Sequence, residues 1–252
     1  MLDPTMRFSK RVENYLKYRP GYPPEIIQLL EAECALTTQS VIADIGFGTG
    51  RLTELFLENG NHVFGVEPNA EMRAAGERVL AQYANFLSMD GTAEATTLPN
   101  QSIDLIAAGQ SFHWFNRDKA RTEFTRILRP SGWVVLIWNG FHADRSPLIK
   151  GYQEVMVRYG TDYQEVNREL SDLDVESFFP KGNCRLTRFP YKQVFDFEGL
   201  KGRFLSASYA PEPTHPRFEE MLHDLRGVFD ANQRAGKVDF HYETEVYYGQ
   251  LA

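Results

Sequence analysis

Val41-Ile42-Ala43-Asp44-Ile45-Gly46-Phe47-Gly48-Thr49-Gly50, running on into Arg51-Leu52-Thr53-Glu54-Leu55-Phe56, is the stretch from which the fold can be read. Five residues of strand character meet three glycines at alternate positions. Leu52, Leu55 and Phe56 then take up helical spacing until Asn59-Gly60. Glycines at such a turn let the backbone bend tightly and approach a ligand, and the helix behind it presents unpaired N–H groups. Outward from the turn the alternation continues. Residues 62–67 read as a second strand, cut off by Pro68, and a helix rich in Ala, Glu, Arg and Met follows over 70–81. Residues 85–89 make a weak third strand leading into Asp90-Gly91, and 102–108 a fourth that opens on Gly109-Gln110-Ser111-Phe112-His113-Trp114-Phe115. A helix over 117–128 ends at Arg129-Pro130-Ser131-Gly132. The run Trp133 to Trp138 is a fifth strand, apolar throughout, as suits an inner strand covered on both faces. Strands alternating with helices mean βαβ units and a parallel sheet.

On either side of this block the pattern changes. Residues 8–18 read as a short amphipathic helix broken by Arg19-Pro20-Gly21-Tyr22-Pro23-Pro24, with a second helix carrying Ile26, Ile27, Leu29 and Leu30. Residues 140–183 have the character of polar helix, with a Tyr152, Val155, Met156 and Tyr159 stripe fit either to cap a pocket or simply to pack. The tail returns to period two: Val238, Phe240, Tyr242, Val246 and Tyr248 alternate with Asp239, His241, Glu243 and Glu245. That is a half-exposed strand, antiparallel or near an edge.

The chain has 252 residues and a formal net charge of −7 from 27 Lys+Arg against 34 Asp+Glu. This suits one α/β domain and makes the protein a poor ligand for phosphate backbones, so no nucleic-acid partner is expected. The cations Arg117, Lys119, Arg121, Arg126 and Arg129 read as a solvated helix face. Cys34 and Cys184 have no partner at metal-ligand spacing, nor do the histidines, so no metal site is expected and the thiols suit a reducing, cytoplasmic setting. The longest apolar run, Trp133 to Trp138, is six residues against the ~20 of a membrane helix, and no secretory h-region is readable at the amino end.

Glu67, 21 residues beyond Gly46 at the end of strand two, is the expected partner of ribose hydroxyls. A dinucleotide loop would place its third glycine where Arg51 stands, and Asp44 just before the first glycine opposes a pyrophosphate while suiting an ammonium group. The ligand class that fits is a nucleoside with a cationic amino-acid end.

With these residues in hand, Asp44-Ile45-Gly46-Phe47-Gly48-Thr49-Gly50 resembles motif I of the class I S-adenosylmethionine-dependent methyltransferases, of the type 11 and type 25 kind. Glu67-Pro68-Asn69 with Met72, Asp90-Gly91-Thr92-Ala93-Glu94 with Leu98-Pro99, and Leu128 to Gly132 extend the likeness in the right order across 40–139. Phe47 departs from the small or polar residue common at its place. Tyr15-x-x-Tyr18-Arg19-Pro20-Gly21-Tyr22-Pro23 and Gln110 to Phe115 resemble the branch containing trans-aconitate-type small-molecule methyltransferases.

The resemblance implies a doubly wound, Rossmann-like α/β sandwich of seven strands, mostly parallel with one antiparallel strand near the edge. It implies one methyltransferase domain over 1–252: a helical cap at 8–36, a cofactor-binding core at 40–139, a helical lid at 140–190, and strands and helices at 191–252 that complete the sheet. S-adenosyl-L-methionine would be the cofactor and S-adenosyl-L-homocysteine the product. Asp44, Gly46, Gly48 and Gly50 would face the methionine end, Glu67 with Pro68 the ribose, Met72 the adenine ring, and either Asp90 or Thr92-Ala93, with Gly91 between them, its amino edge. Gln110 joins them at the end of strand four. Arg19 either reaches the cofactor carboxylate or anchors the first helix to an acidic neighbour. His113 either accepts a proton from the acceptor or orders its loop. The expected partner is a small-molecule acceptor of a monomer or homodimer, with no membrane involved. A non-catalytic cofactor-binding module and a nucleotide-dependent oxidoreductase remain as alternatives, the latter opposed by Arg51 and Asp44. The Asp/Asn-Pro-Pro-aromatic turn of base-modifying enzymes is absent, its place being taken by Gln110-Ser111-Phe112.

Overall fold

The computed structural model describes residues 12–142, 144, 146–161 and 172–251. The expected first helix is described only as α1 (Val12–Tyr18), and the middle of the expected lid, 162–171, lies outside the described residues. The five strands read from the sequence form as β1 (Val41–Ile45), β2 (His62–Val66), β3 (Phe86–Met89), β4 (Ile103–Gly109) and β5 (Leu128–Gly140). They pair in parallel. Two further strands, β6 (Cys184–Phe195) and β7 (Val238–Gly249), complete a seven-stranded sheet of order β3-β2-β1-β4-β5-β7-β6. β7 runs antiparallel to both of its neighbours. The sheet is therefore mostly parallel, with its antiparallel strand one place in from the edge. β6 begins at Cys184, inside the segment expected to be helical.

Helices α2 (Glu25–Cys34), α3 (Arg51–Glu58), α4 (Ala70–Leu80) and α5 (Arg117–Ile127) supply the two outer layers. Alternation along the inner strands feeds both. Ala43 and Ile45, Ile106 and Ala108, and Val134 and Leu136 join the core under α5. Ile42, Leu105, Ala107, Val135 and Ile137 join the core under α2 and α3. With both faces covered, neither register leaves a polar side, which is why β5 reads as unbroken apolar sequence. β7 shows the transition along one strand: its first half alternates between buried and exposed, and its last four residues, flanked by β5 and β6, are all buried.

A third core lies beyond the sheet's end. It joins α6 (Pro147–Tyr159), α8 (Phe197–Leu205) and α9 (Phe218–Asn232) to Val238, Phe240 and Tyr242 of β7. The Tyr152, Val155, Met156 and Tyr159 stripe is buried in it, so the stripe packs. A short helix, α7 (Asp172–Glu176), precedes Phe178 and Phe179, which return to the first core.

The loop from β3 to β4 is held by a buried carboxylate. Glu123 of α5 accepts the Thr96 amide at 2.8 Å and the Thr96 hydroxyl at 2.6 Å, and takes Arg126 side-on at 2.7 Å. Arg126 in turn donates to the Leu98 carbonyl at 2.8 Å. Arg126, with the Thr96 donors, holds the Glu123 carboxyl down at about 2. Its contribution is whole above the ordinary carboxyl range and is lost as pH falls toward 2. Glu123→Ala should cost about 2–3 kcal/mol of unfolding free energy at neutral pH. In urea titrations the gap from the parent protein should close as pH falls from 4.5 toward about 2; a gap that persists unchanged at the acid end would remove the charge from the explanation.

Candidate functional site

At the carboxyl end of β1 the chain needs a conformation that side chains resist. Gly46, Gly48 and Gly50 have φ of 72°, 57° and 88°, all left-handed. Space forbids side chains as well. A Cβ on Gly46 would lie 2.7 Å from the Ser111 Cβ, and one on Gly50 2.7 Å from Leu80 Cδ1. Ser111 itself donates to the Ile45 carbonyl at 2.7 Å, so the loops after β1 and β4 are locked together. Phe47 does not face outward. It is buried, edge-on to Phe86 at 5.5 Å, in room left by two missing side chains: Cβ atoms on Gly65 and Gly76 would lie 2.8 Å and 2.5 Å from its ring. The sequence signal was a glycine inside a strand and another inside a helix. Arg51 donates to the Leu16 carbonyl, tying α3 to α1.

Two carboxylates flank the loop. Asp44 is 1% exposed; its Oδ2 accepts the Thr53 hydroxyl at 2.6 Å, and its Oδ1 is buried without a hydrogen-bond partner among the described residues. Burial first, and then the charge of Glu67, push the Asp44 carboxyl up to about 7, against the Thr53 hydrogen bond. The buried Thr49 hydroxyl in the loop likewise has no partner among these residues. Glu67 accepts the Gly48 amide at 3.0 Å and the Asn69 amide at 2.9 Å. Burial raises its carboxyl above the ordinary value, with the two amides opposing.

Asn69 caps α4 by accepting the Met72 amide at 2.8 Å, which sets Met72 against the loop: a Cβ on Gly48 would meet the Met72 methyl at 3.3 Å. Pro68 is half-buried beside them. Across the gap, Asp90 is exposed and pairs with Arg73 at 3.2 Å, while Arg73 also donates to the Glu67 carbonyl at 2.7 Å. Gly91 fits where a Cβ would come within 3.0 Å of the Ala95 and Thr96 carbonyls. Thr92 bridges to Ala95, and Ala93 is buried. Glu67, Asn69, Met72 and Arg73 thus tie the glycine loop, the start of α4 and Asp90 into one neighbourhood.

Beyond β4, Gln110 takes φ of 56° and donates its amide to the Ile137 carbonyl at 2.9 Å, turning the chain into the 3₁₀ turn Phe112–Trp114. Phe112 anchors that turn in the core, 4.9 Å from the Phe178 ring. His113 stands solvent-reached on the turn, with protein packed around its other sides. That packing first, then the Arg19 charge, hold its imidazole below the usual range, so it is neutral at pH 7. Tyr22, part of the amino-terminal motif but given no role by it, also reaches this place. Its hydroxyl lies against the Gly109 Cα, and its phenol is raised by burial first and by Asp44 among its neighbours. Asn139, missed by the sequence reading, holds the Gly21 carbonyl at 3.0 Å and is itself fixed by the Thr244 hydroxyl at 2.6 Å. No local pattern marks Asn139, because its partners Gly21 and Thr244 lie more than a hundred positions away in the chain. Arg19 meets no acidic neighbour among the described residues; it donates to the Ser206 carbonyl at 3.3 Å and lies over the Tyr15 ring at 5.1 Å.

Other chemistry is quieter. Burial pushes the Cys34 and Cys184 thiols up to about 12 and about 11, too high for nucleophiles at neutral pH. His142, Glu243 and Glu245 converge within 4.8 Å, a grouping that spacing within one segment does not reveal. Arg188 stands 2.9 Å from Glu245, and so supplies the positive charge.

A family model described as a methyltransferase domain matches residues 43–136. An uncharacterized methyltransferase of Schizosaccharomyces pombe is 34% identical over 242 residues, covering 95% of this chain and 95% of that protein. A solved structure from Anaeromyxobacter dehalogenans, provisionally described as a type II methyltransferase, shares the fold with a TM-score of 0.67. Its identity is 19%, over 93% of this chain and 98% of that one. Phosphoethanolamine N-methyltransferase 2 of Haemonchus contortus, solved with phosphomonomethylethanolamine and S-adenosylhomocysteine, gives a TM-score of 0.56. It is 14% identical over 97% of this chain and 58% of that one, again a likeness of fold.

Proposed function

The chain belongs to the methyltransferase family, and from that premise we propose that it binds S-adenosyl-L-methionine in the cleft after β1 and β2 and methylates a small-molecule acceptor by in-line displacement. The observation that carries this reading is the buried Asp44 Oδ1, which has no partner among the described residues, at the end of the strand that enters a glycine cradle a Cβ would fill; the Thr49 hydroxyl within that cradle is likewise unpartnered among them. A buried carboxylate oxygen left unpaired is costly, and an ammonium group is what would satisfy it. Glu67 stands at the right end of β2 to accept ribose hydroxyls, and Met72 offers an apolar wall to an adenine ring.

When bound, the cofactor supplies an electrophilic sulfonium methyl. What the chain contributes is mainly alignment and exclusion of water, which in favourable systems is worth up to ~7–11 kcal/mol. The Ser111–Ile45 lock keeps the acceptor side fixed relative to the cofactor loop. His113, neutral at pH 7, can accept a proton from an oxygen or nitrogen nucleophile at its ring. A carboxylate acceptor would need no base, and the same ring would then act by position. The free thiols support a cytoplasmic place of action.

Binding tests the reading. S-adenosylmethionine and S-adenosylhomocysteine should each raise Tm, by about 2.7 kcal/mol of stabilisation at one hundred times Kd, while NAD should leave it unmoved. Calorimetry showing no heat with either sulfur compound would end it.

A further inference from the structure

The third core holds a guanidinium that meets no carboxylate among the described residues. Arg203, on α8, is 3% exposed. Its Nε donates to the Tyr242 hydroxyl at 2.9 Å, and its guanidinium lies 5.7–5.9 Å from the Phe141, Phe240 and Tyr242 ring centres. Its Nη1 is buried without a hydrogen-bond partner among the described residues. The next turn brings a second cation to the same place. Ser206, whose hydroxyl holds the Arg203 carbonyl at 2.7 Å, offers its own carbonyl to Arg19, and the Arg19 Nε is again buried and unpartnered. The Tyr18 ring fills the space over Gly202, which brings α1 close to α8. The Tyr152 hydroxyl, fully buried, has no partner either. Among the described residues neither guanidinium meets a carboxylate. The two cations feel each other: burial first, then Arg203, lower the pKa of Arg19.

A fold does not retain two like charges in an aromatic box for stability, because an uncompensated buried charge costs more than its neighbours return. Aromatic faces offset part of that cost, but guanidinium N–H groups remain without acceptors. The place is also informative. Arg19 directly precedes the Pro20–Tyr22 segment, whose Gly21 carbonyl is held by Asn139 at 3.0 Å and whose Tyr22 hydroxyl lies against Gly109 at the end of β4. The unpaired donors therefore lie close to the end of β4, beside the site proposed for the cofactor.

We propose that Arg203, with Arg19, forms the subsite that receives an anionic group, carboxylate or phosphate, on the methyl acceptor. The subsite rests on the methyltransferase reading for its purpose, though not for its chemistry. The guanidinium fork supplies paired donors to an oxyanion, Tyr152 supplies a hydroxyl, and the aromatic walls suit a flat or apolar body behind the charge.

The test uses the whole protein. S-adenosylhomocysteine binding is measured first; then phenylacetate, phenyl phosphate and the uncharged phenylacetamide are titrated by calorimetry, with and without it. At least one anion should bind at least ten-fold more tightly than the amide, and which one distinguishes carboxylate from phosphate. Arg203→Met, apolar and of similar length, should leave the Tm of the ligand-free protein unchanged or higher while lowering anion affinity at least ten-fold. Arg203→Lys should retain part of that affinity, which keeps the question open to measurement if the Met variant does not fold. Anions binding no better than the amide would overturn the subsite. So would an Arg203→Met protein that melts well below the parent with anion affinity intact, since the arginine would then be a structural strut. Absence of S-adenosylhomocysteine binding would overturn the methyltransferase reading instead, and the titrations made without it would still decide the subsite.

Discussion

Asp44→Asn should make the ligand-free protein more stable at pH 8 and at the same time weaken its binding of S-adenosylhomocysteine at least ten-fold. The folded-state carboxyl titrates at about 7 against an ordinary value of 3.8, driven up by burial and then by Glu67. Between those values the folded state holds the proton that the unfolded state has released, so stability falls as pH rises through the interval. Integrated, the loss is at most ~4 kcal/mol and is complete above pH 7. Asparagine keeps an acceptor for the Thr53 hydroxyl and never ionises, which removes the loss. The ligand reverses the preference, because an ammonium group favours the ionised form. Affinity in the parent protein should therefore fall as pH drops below about 7, by up to ~ten-fold per unit, and the variant should show a flat profile. Urea titrations and calorimetry at pH 8 and 6 read both effects. A variant that is less stable yet keeps the parental pH profile would reduce Asp44 to a strut for Thr53.

The second large effect lies at Glu67. Its two oxygens receive the Gly48 and Asn69 amides, so the residue shapes the loop before any ligand arrives. Glu67→Ala removes both charged hydrogen bonds, each contributing about 1.5–3 kcal/mol, and removes the acceptor that ribose hydroxyls would use. Cofactor affinity should fall ten- to about a hundred-fold, with a lower Tm for the free protein. Glu67→Gln should fall between, because its amide group presents a donor to one of the two backbone N–H groups. If Tm drops while affinity stays within two-fold, the carboxylate tethers the loop and does nothing for the ligand.

The βαβ core was legible because its signals are local. Ile42 to Ile45, the three glycines and the Leu52, Leu55, Phe56 spacing each sit within one turn or strand of what they determine. Asp44 and Glu67 could be named for the same reason: each stands one step from a strand end. The β6 strand was not legible. Its pattern of half-buried residues, carrying Pro190 and several charges, has little apolar period of its own, and it forms by pairing along its whole length with β7. The Tyr152–Tyr159 stripe was visible as a stripe, but whether it lined a pocket or filled a core depended on α8 and α9, which follow much later in the chain.

The parallel block, the glycine turn and the carboxylates beside it follow from local sequence alone, since backbone conformation and strand ends depend on neighbours a few residues away. Where Phe47 goes, what Arg19 touches, and that Arg203 lies buried with no acid against it among the described residues follow from packing between distant elements. Burial and charge balance are sums over everything packed around an atom. For Arg203 those surroundings come from Phe141 just past β5, Tyr152 of α6 and Phe240 and Tyr242 of β7, parts separated along the chain and joined only by the fold.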